Sequence, residues 1–514
     1  PTWLRRQRQM CIRDSLKANS SFAAPSWQSC NLEQHGSSLA DARCTHIIIN
    51  DQNSGFLNVL KLPSFSDKKT APIVIITGGP GTSAAALAAH YRYWFYKAQK
   101  EHDLLFIDQR GTGKSMPFDC KLDETGDANE LYQDPVTLLK THHQKIIDCI
   151  TPYQKTYSLE SISTLQAAKD IETVRQQLGY ENLLLWGNSY GTRVAIAYQQ
   201  LYPSHVKATV LDGVAPIEIA LPSHAQQDAE QALGKLFKYC DESDYCPNSF
   251  KPLRSHWESI LTKLEQGQAN KTPITIELTD AKTQQLHTVE LTPAMVANWV
   301  RFILYNRELT ALLPLAIFQA NNGNFSTLTN IAKVASDCTD TQVSAAMHAV
   351  ILCREDYYFR KNTSGNSSLL PFGSLTDLTT VCEHIHGLVP PAPIPPNTTP
   401  KDTASKDTAP KDTTTDKAPT LLLSGEFDPV TPPKWAELVM AQLKNSAHIV
   451  INGGHHGVTP LGCVTDLVNQ FLMTSAPLKD ATIKDCTEAI KPAPPFIDTA
   501  GPKLPRTSIE GEGP

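Results

Sequence analysis

Short apolar runs and longer amphipathic stretches follow one another along most of the chain. Two runs rich in β-branched residues with partial alternation, 45–49 and 55–62, predict antiparallel strands. More uniformly apolar runs are typical of buried parallel strands. Those runs lie at 71–76, 103–108, 183–186, 206–212, 420–423 and 447–451.

Helical patterns separate several of these runs. Between Ser163 and Gly179 apolar residues recur every three or four positions, and Ser163 and Gln166 form a capping-box pattern. Gly179 suits the C-terminal cap of that helix. Further helices are predicted directly after the run at 183–186 and over 433–443. Alternating strands and helices predict an α/β fold with a mostly parallel, doubly wound sheet.

The rhythm changes between residues 216 and 388. Helical patterns separated by polar turns occupy 226–239, 253–266, 293–306 and 309–321. We interpret 216–388 as a helical cap domain that is inserted between two parts of the α/β core, 27–215 and 419–495.

Three segments have too little apolar content to pack. Residues 389–418 contain a proline run and three Lys-Asp-Thr repeats, which predict a low-complexity linker. Residues 1–26 lack the apolar stretch of a signal peptide and are predicted to be a non-native or disordered leader. Residues 496–514 are predicted to form a tail.

The composition predicts a large globular protein. Of 514 residues, 41% are hydrophobic and 19% are charged. A single core rarely grows beyond about 250–300 residues, so more than one structural unit is expected. The net charge of −6 and the absence of a basic run argue against nucleic-acid binding. No run approaches the ~20 apolar residues that span a bilayer, so no membrane span is expected.

Twelve cysteines are many for a reduced cytosolic enzyme, and none form the C-x-x-C pairs that zinc sites favour. Disulfides and an oxidising compartment are therefore predicted, with free buried thiols as the alternative. Cys11 lies in the predicted leader, which leaves one of the other eleven unpaired. Plausible pairs of cysteines near one another in sequence are Cys30–Cys44, Cys120–Cys149, Cys240–Cys246 and Cys463–Cys486.

The pentapeptide Gly-Asn-Ser-Tyr-Gly at 187–191 stands between a predicted strand and a predicted helix. This context matches the G-x-S-x-G nucleophile elbow, in which small neighbours tolerate the strained turn that exposes a serine hydroxyl. Ser189 is therefore the candidate nucleophile. A glycine-rich turn without chemistry is the alternative for the pentapeptide alone.

A serine hydroxyl needs a base within hydrogen-bond reach and a third group that orients the base. The loops after the last two predicted strands contain Asp428, with Glu426 competing, and the pair His455 and His456. Ligands of an open α/β sheet bind beyond the carboxyl ends of its strands, so these loops are expected to meet. We assign Asp428 as the orienting acid and His456 as the base, with His455 as its alternative.

The loop after the run at 71–76 reads Gly-Gly-Pro-Gly at 78–81. A developing negative oxygen needs preorganised backbone N–H groups, and Pro80 has none. Gly79 and Tyr190, the residue after the candidate nucleophile, are the predicted oxyanion-hole donors. A plain turn is the alternative for this loop.

Four motifs are more specific together than any one alone. They are Gly-Gly-Pro-Gly at 78–81, Asp-Gln-Arg-Gly-Thr-Gly-Lys-Ser at 108–115, Gly-Asn-Ser-Tyr-Gly-Thr at 187–192 and Asp-Pro-Val-Thr-Pro at 428–432. This set resembles the proline iminopeptidase and tripeptidyl aminopeptidase group of α/β-hydrolases. The order of Ser189, Asp428 and His456 is the one expected of an α/β-hydrolase triad.

The resemblance implies an α/β-hydrolase fold and release of N-terminal residues or short peptides from a free amino terminus. The substrates would be peptides, the intermediate an acyl-enzyme, and no metal or cofactor would be needed. The long, cysteine-rich layout resembles the secreted tripeptidyl type, which implies a secreted or periplasmic enzyme. Thr77 stands where proline iminopeptidases usually carry histidine, which argues against strict proline specificity. Asp108 and Arg110 are expected to form a structural loop network.

An exopeptidase must recognise the substrate ammonium, and a buried carboxylate is its natural partner. In the resembled family such acids come from the cap, where Cys-Arg-Glu-Asp at 353–356 is the most similar segment. Glu355 is the first candidate and Asp356 the second, and a solvated acidic pair balanced by Arg354 is the alternative. An esterase or amidase acting on small acyl groups, and a catalytically silent binding protein, are the competing functions.

Overall fold

The structure is a computed structural model, and some parts of the chain lie outside the residues it describes. Most of the predicted leader, the centre of the predicted linker and most of the predicted tail fall outside them, as does Cys120. The described residues are 25–30, 33–34, 37–49, 55–68, 70–118, 135–279, 286–340, 343–357, 369–372, 377–392, 418–498 and 500–502. None of the helices in these ranges has the length and apolar character needed to cross a membrane.

Strands and helices are numbered in chain order. The strands are β1 Gln28–Ser29, β2 Glu33–Gln34, β3 Ser37–Ser38, β4 Arg43–Ile49, β5 Gly55–Leu62, β6 Ile73–Ile76, β7 Leu104–Ile107, β8 Leu183–Asn188, β9 Val206–Asp212, β10 Thr275–Thr279, β11 Leu286–Glu290, β12 Thr420–Gly425, β13 Ser446–Ile451, β14 Phe496–Asp498 and β15 Gly501–Pro502. The helices are α1 Ala88–Trp94, α2 Pro135–Tyr153, α3 Thr164–Leu178, α4 Tyr190–Leu201, α5 Leu221–Glu242, α6 Leu253–Ala269, α7 Pro293–Ile303, α8 Arg307–Thr310, α9 Leu313–Asn321, α10 Ser326–Asp340, α11 Ala345–Ile351, α12 Thr379–Leu388, α13 Pro433–Met440, α14 Val464–Thr474 and α15 Asp480–Ala489.

One large sheet organises the described part of the chain, with strand order β1-β4-β5-β7-β6-β8-β9-β12-β13. The pairs β1–β4, β4–β5 and β5–β7 are antiparallel, and the remaining pairs are parallel. The predicted mostly parallel sheet with antiparallel first strands is therefore confirmed. The carboxyl ends of β6, β8, β9, β12 and β13 share one edge.

Both faces of the sheet are buried, which explains why its strands read as apolar runs. In β8, Leu183 and Leu185 pack with residues of α2, α3, α4 and α13 on one face. Leu184 and Trp186 pack with residues of α1 and α14 on the other face. Helices thus cover the sheet on both sides, as a doubly wound fold requires.

Helix α3 begins and ends where its sequence predicts. The Ser163 hydroxyl accepts a hydrogen bond from the N–H of Gln166 at 3.1 Å, and Gly179 ends the helix with φ 69°. The Gln166 side chain donates to Asp170 at 2.9 Å rather than returning to Ser163. The capping box is therefore only half formed.

A third hydrophobic cluster lies in the insertion. It contains buried residues of α5, α6, α7, α9 and α10 together with Leu370 and Phe372. Residues of α11 and α12 pack instead in the cluster of α3 and α4. The boundaries 216–388 and the flanking core segments remain predictions, but the interior of the insertion divides between these two clusters.

The structure adds one element that the sequence analysis missed in the insertion and corrects another. The insertion carries an antiparallel hairpin of β10 and β11, in which Thr275 pairs with Glu290. Its short, mostly polar strands lack the apolar runs by which the other strands were predicted. The single helix predicted over 309–321 is divided into α8 and α9. Pro314 has no N–H and cannot continue the hydrogen bonding of α8, so the chain begins a new helix.

Three of the predicted disulfides are present, Cys30–Cys44, Cys240–Cys246 and Cys463–Cys486. A fourth, Cys353–Cys382, was not predicted and ties the segment before Tyr357 to α12. Cys149 is also disulfide-bonded, and its predicted partner Cys120 lies outside the described residues. The cysteines are therefore largely structural.

Candidate active site

Ser189 lies on the turn between β8 and α4. Its backbone has φ 55° and ψ −125°, a conformation that residues other than glycine adopt only under strain. Its N–H donates to the carbonyl of Asp212 at 2.9 Å, and its own carbonyl accepts from the N–H of Thr192 at 2.9 Å. The Thr192 hydroxyl donates to the same carbonyl at 2.6 Å. These bonds hold the strained turn in place.

The two glycines that flank this turn are required by close approach. A Cβ atom on Gly187 would lie 2.6 Å from the carbonyl oxygen of Gly191. A Cβ atom on Gly191 would lie 2.1 Å from the carbonyl oxygen of Ile76. Only glycine lets the backbone approach so closely at both positions. The local geometry is that of a nucleophile elbow.

Asp428 and His456 meet at the edge where β12 and β13 end. Nδ1 of His456 lies 2.9 Å from Oδ2 of Asp428, which is fully buried. The other carboxylate oxygen accepts from the N–H groups of Val430 and Thr431 at 2.8 Å each. The Thr431 hydroxyl donates to Oδ2 of Asp428 at 2.8 Å. Because Nδ1 is engaged, Nε2 is the ring nitrogen left for proton transfer.

The charges of this pair favour an ionised acid beside a basic imidazole. Burial lowers the pKa of His456, but the charge of Asp428, the hydrogen bond to it and the charge of Asp212 outweigh burial and raise that pKa. Burial raises the pKa of Asp428, but His456 and the hydrogen bonds from Thr431 and Val430 outweigh burial and lower it. Such a pair can accept a proton from a serine hydroxyl.

The turn that carries Ser189 adjoins the loop that carries His456. A Cβ atom on Gly457 would lie 3.3 Å from Nδ2 of Asn188, and one on Gly213 would lie 3.3 Å from Cε1 of His456. In the described part of the chain no hydrogen bond joins Oγ of Ser189 to His456. Catalytic hydrogen bonds are often long without substrate and shorten when it binds.

The competing residues have other partners. Nδ1 of His455 lies 2.7 Å from the carbonyl oxygen of Leu304, and its ring stacks on Phe427 at 5.6 Å. Burial is the main cause that lowers the pKa of His455. The Glu426 carboxylate accepts from the N–H of Gly453 at 3.0 Å. The geometry therefore favours Asp428 and His456 over Glu426 and His455.

Asp212, which the sequence did not single out, connects the two loops. Its buried carboxylate accepts from the N–H groups of Val458 and Thr459 at 2.9 and 2.8 Å and from the Thr459 hydroxyl at 2.6 Å. Its carbonyl accepts from Ser189, as described above, and from Nδ2 of Asn188 at 3.1 Å. The sequence offered one signal for this role, because Asp212 is an acid at the end of the apolar strand that follows the elbow helix.

The loop at 78–81 packs directly against Ser189. A Cβ atom on Gly78 would lie 2.7 Å from Cβ of Ser189, so only glycine fits there. Gly79 follows with φ 108° and is exposed. Tyr190 is the first residue of α4, so its N–H has no acceptor within the helix. Both predicted oxyanion donors thus belong to the backbone around Ser189.

Asp108 and Arg110 form the structural network that the sequence predicts. The Asp108 carboxylate accepts from Nδ2 of Asn58 at 2.8 Å and from the Ser83 hydroxyl at 2.7 Å. Arg110 pairs with Asp170 through two hydrogen bonds of 2.7 Å. These contacts fix the loop after β7 without involving the residues around Ser189.

The two predicted amine-binding acids lie at the end of a short π-helical segment, Leu352–Asp356. Asp356 is buried and pairs with the buried Arg193 at 2.8 Å. Glu355 is half-buried and accepts from the N–H and the hydroxyl of Thr164 at 2.6 Å each. The Thr164 hydroxyl in turn lies 3.0 Å from the hydroxyl of Tyr190. Glu355 is thus linked through Thr164 to Tyr190, the residue that follows Ser189.

Burial is the largest influence on both acids. It raises the pKa of Glu355, and it raises the pKa of Asp356 against the opposing charge of Arg193. Arg354 donates to the carbonyl of Ile162 at 2.6 Å, and its side chain makes no ion pair with either acid in the described residues. The alternative of a solvated pair balanced by Arg354 is therefore wrong.

Comparison with known proteins places the fold. The profile of the family described as alpha/beta hydrolase fold matches residues 71–459. Putative hydrolase YuaR of Escherichia coli (strain K12) is 25% identical over 315 residues, which cover 59% of this chain and 58% of YuaR. Serine protease Hip1 of Mycobacterium tuberculosis (strain ATCC 25618 / H37Rv) is 24% identical over 457 residues, 82% of each chain. Proline iminopeptidase of Neisseria meningitidis serogroup B is 26% identical over 167 residues, 32% of this chain and 40% of the relative.

Proposed function

Since the chain belongs to the α/β hydrolase fold family, we propose that it is a serine aminopeptidase acting on peptides with a free amino terminus. It releases N-terminal residues or short peptides. The resemblance to peptidases of this fold is confirmed, because a serine protease and a proline iminopeptidase are among its relatives. The observation that carries the proposal is the Asp428–His456 pair, whose loop adjoins the Ser189 turn.

In the proposed reaction, Oγ of Ser189 attacks the scissile carbonyl while Nε2 of His456 takes its proton. The N–H groups of Gly79 and Tyr190 stabilise the negative oxygen of the tetrahedral intermediate. His456 then donates the proton to the leaving amine, and an acyl-enzyme remains on Ser189. Water, deprotonated by His456, hydrolyses this ester and restores the free hydroxyl. Asp428 holds the imidazole and stabilises its charged form.

Glu355 is the proposed partner of the substrate ammonium. It is half-buried, and Thr164 connects it to Tyr190 beside the nucleophile. An ammonium ion would form a charge-assisted hydrogen bond with this carboxylate and favour its ionised form. Asp356 is the second candidate, although its pairing with Arg193 gives it a structural role already.

Two measurements test this function. A fluorophosphonate should label the protein, and Ser189→Ala should abolish the label. Free peptide amides should be cleaved, while the same peptides with an acetylated amino terminus should not. Failure to label would contradict serine catalysis, and equal turnover of acetylated peptides would contradict the aminopeptidase.

An esterase or amidase that acts on small acyl groups is the second candidate. The observation in its favour is that both predicted amine-binding acids already have partners, Asp356 with Arg193 and Glu355 with Thr164. Faster turnover of short acyl esters than of any free-amine peptide would support it.

We also propose a secreted or periplasmic location. The four disulfides described above support it, because such bonds persist in oxidising compartments.

A further inference from the structure

The cationic side chain of Arg301, in the insertion, is separated from the proposed base His456 by the side chain of Tyr305. The ring of Tyr305 contacts the ring of His456, with centroids 5.4 Å apart and an interplanar angle of 72°. Arg301 lies in α7, which ends just before Tyr305, and it donates from Nη2 to the Tyr305 hydroxyl at 3.4 Å. The Arg301 guanidinium therefore stands on the insertion side of His456.

Aromatic rings hold this guanidinium in place. Its central carbon lies 5.1 Å from the ring centre of Phe372, 5.2 Å from that of Phe302 and 5.9 Å from that of Tyr305. Contacts between a cation and an aromatic face orient the cation without neutralising its charge. Arg301 is half-buried, so part of it remains accessible.

In the described residues Arg301 differs from Arg110 and Arg193, which each pair with a carboxylate, and from Arg354, whose guanidinium donates to backbone carbonyls. Arg110 pairs with Asp170 at 2.7 Å, and Arg193 pairs with Asp356 at 2.8 Å. In the part of the chain that the structure describes, Arg301 forms no ion pair with an acidic side chain. Because part of the Arg301 side chain is accessible, an anion from outside can reach the guanidinium and pair with it.

The charge of Arg301 also acts on His348, whose ring contacts the loop at 78–81. Nδ1 of His348 lies 3.1 Å from the carbonyl oxygen of Pro80. Burial lowers the pKa of His348, the hydrogen bond to Pro80 opposes this, and the charge of Arg301 lowers it further. Arg301 thus contacts Tyr305, whose ring packs against His456, and its charge acts on His348, which contacts the loop at 78–81.

We propose that Arg301 binds a carboxylate of the substrate close to the scissile bond, so that the enzyme prefers acidic substrates. This inference rests on the proposed serine hydrolase function. A guanidinium binds a carboxylate through two parallel hydrogen bonds, and its aromatic cradle presets that fork. The carboxylate comes either from the acyl part of the substrate or from the residue on the leaving side.

Two pairs of substrates distinguish these sources. For the acyl part, p-nitrophenyl hydrogen glutarate is compared with p-nitrophenyl valerate, a neutral ester of the same chain length. For the leaving side, free-amine peptide amides with Glu at successive positions are compared with those that carry Gln. Rates are expressed as kcat/KM for each site that a fluorophosphonate labels, so that only folded enzyme is counted.

On at least one arm, the wild-type protein should prefer the acidic member about tenfold or more, and Arg301→Gln should abolish that preference, measured as the ratio of kcat/KM for the acidic member to kcat/KM for the neutral member. Arg301→Lys keeps the charge without the fork and should keep part of the preference. Arg254→Gln is the matched control and should leave the preference unchanged. Arg254 also lies over an aromatic ring, that of Phe237 at 5.4 Å, but it pairs with Glu258 at 3.6 Å.

A wild-type protein without acidic preference on either arm would overturn the proposal, as would a preference that survives Arg301→Gln. The ester arm needs the proposed serine chemistry but no free amino terminus on the substrate. Acidic ester preference without any peptide cleavage would therefore contradict the aminopeptidase while supporting the role of Arg301.

Discussion

Charged side chains have different surroundings at the sheet edge that carries the proposed catalytic residues, called the catalytic edge below, and in the insertion that faces it. At the edge, Asp428 and Asp212 are buried, and each accepts several hydrogen bonds from the chain. In the insertion, Arg301 has aromatic neighbours and no acidic partner in the described ranges, and Glu355 is held by a single threonine. The proposed orienting acid needs a fixed geometry, whereas the proposed recognition groups must be able to accept a partner from the substrate.

The largest expected effect separates two adjacent histidines. His456→Gln should lower kcat on the order of 10⁶-fold, because it removes the proposed base that activates Ser189. His455→Gln should lower kcat less than about tenfold, because the His455 ring bonds to the carbonyl of Leu304 and stacks on Phe427. Single-turnover rates on an activated ester measure both. Comparable losses of rate in the two variants would contradict the assignment of His456 as the base.

The orienting acid should give the next largest effect. Asp428→Asn keeps the shape but supports the wrong imidazole tautomer, so kcat should fall on the order of 10⁴-fold. Glu426→Gln is the matched control, because Glu426 bonds to Gly453 and not to His456. Ester hydrolysis by both variants gives the comparison, and a larger loss in Glu426→Gln would exchange the roles of the two acids.

A variant of the insertion should change binding rather than chemistry. Glu355→Gln should raise KM for free-amine peptides by about 10- to 100-fold, since a neutral amide loses the charge-assisted bond to the ammonium. Hydrolysis of a small ester should change little. Steady-state kinetics on both substrates separate the effects, and an equal loss on the ester would mean that Glu355 supports the elbow rather than the amine.

The pH profile offers a smaller test at the catalytic edge. His456 must be neutral to accept a proton, and its pKa is raised, so activity should fall as the pH drops through a value above about 6.5. Asp212 is one cause of that rise. Asp212→Asn should therefore move the acidic limb of kcat/KM to lower pH.

The displacement should be less than about one pH unit, because Asp428 contributes more than Asp212 to the raised pKa. Asp466→Asn removes an exposed acid that pairs with Lys97 and serves as the control. If the acidic limb of the kcat/KM profile is at the same pH in Asp212→Asn as in the wild type, Asp212 does not affect the charge of His456.

The two regions also differ in how far the sequence could predict them. The strands of the sheet are buried on both faces, so their apolar runs were visible, and parallel order alone predicted that the loops with Ser189, Asp428 and His456 share one edge. The hairpin of β10 and β11 was missed because its strands are short and half-exposed. The Cys353–Cys382 bond and the contact of Tyr305 with His456 join distant positions, which periodicity does not reveal.

The conformation of Ser189 has a consequence for the history of this chain. At φ 55° and ψ −125° a glycine would relieve strain of about 1–3 kcal/mol, so Ser189→Gly should unfold at a higher denaturant concentration than Ser189→Ala. Selection for stability alone would favour that replacement. The proposed serine chemistry gives a reason to keep serine there, because the reaction needs its hydroxyl.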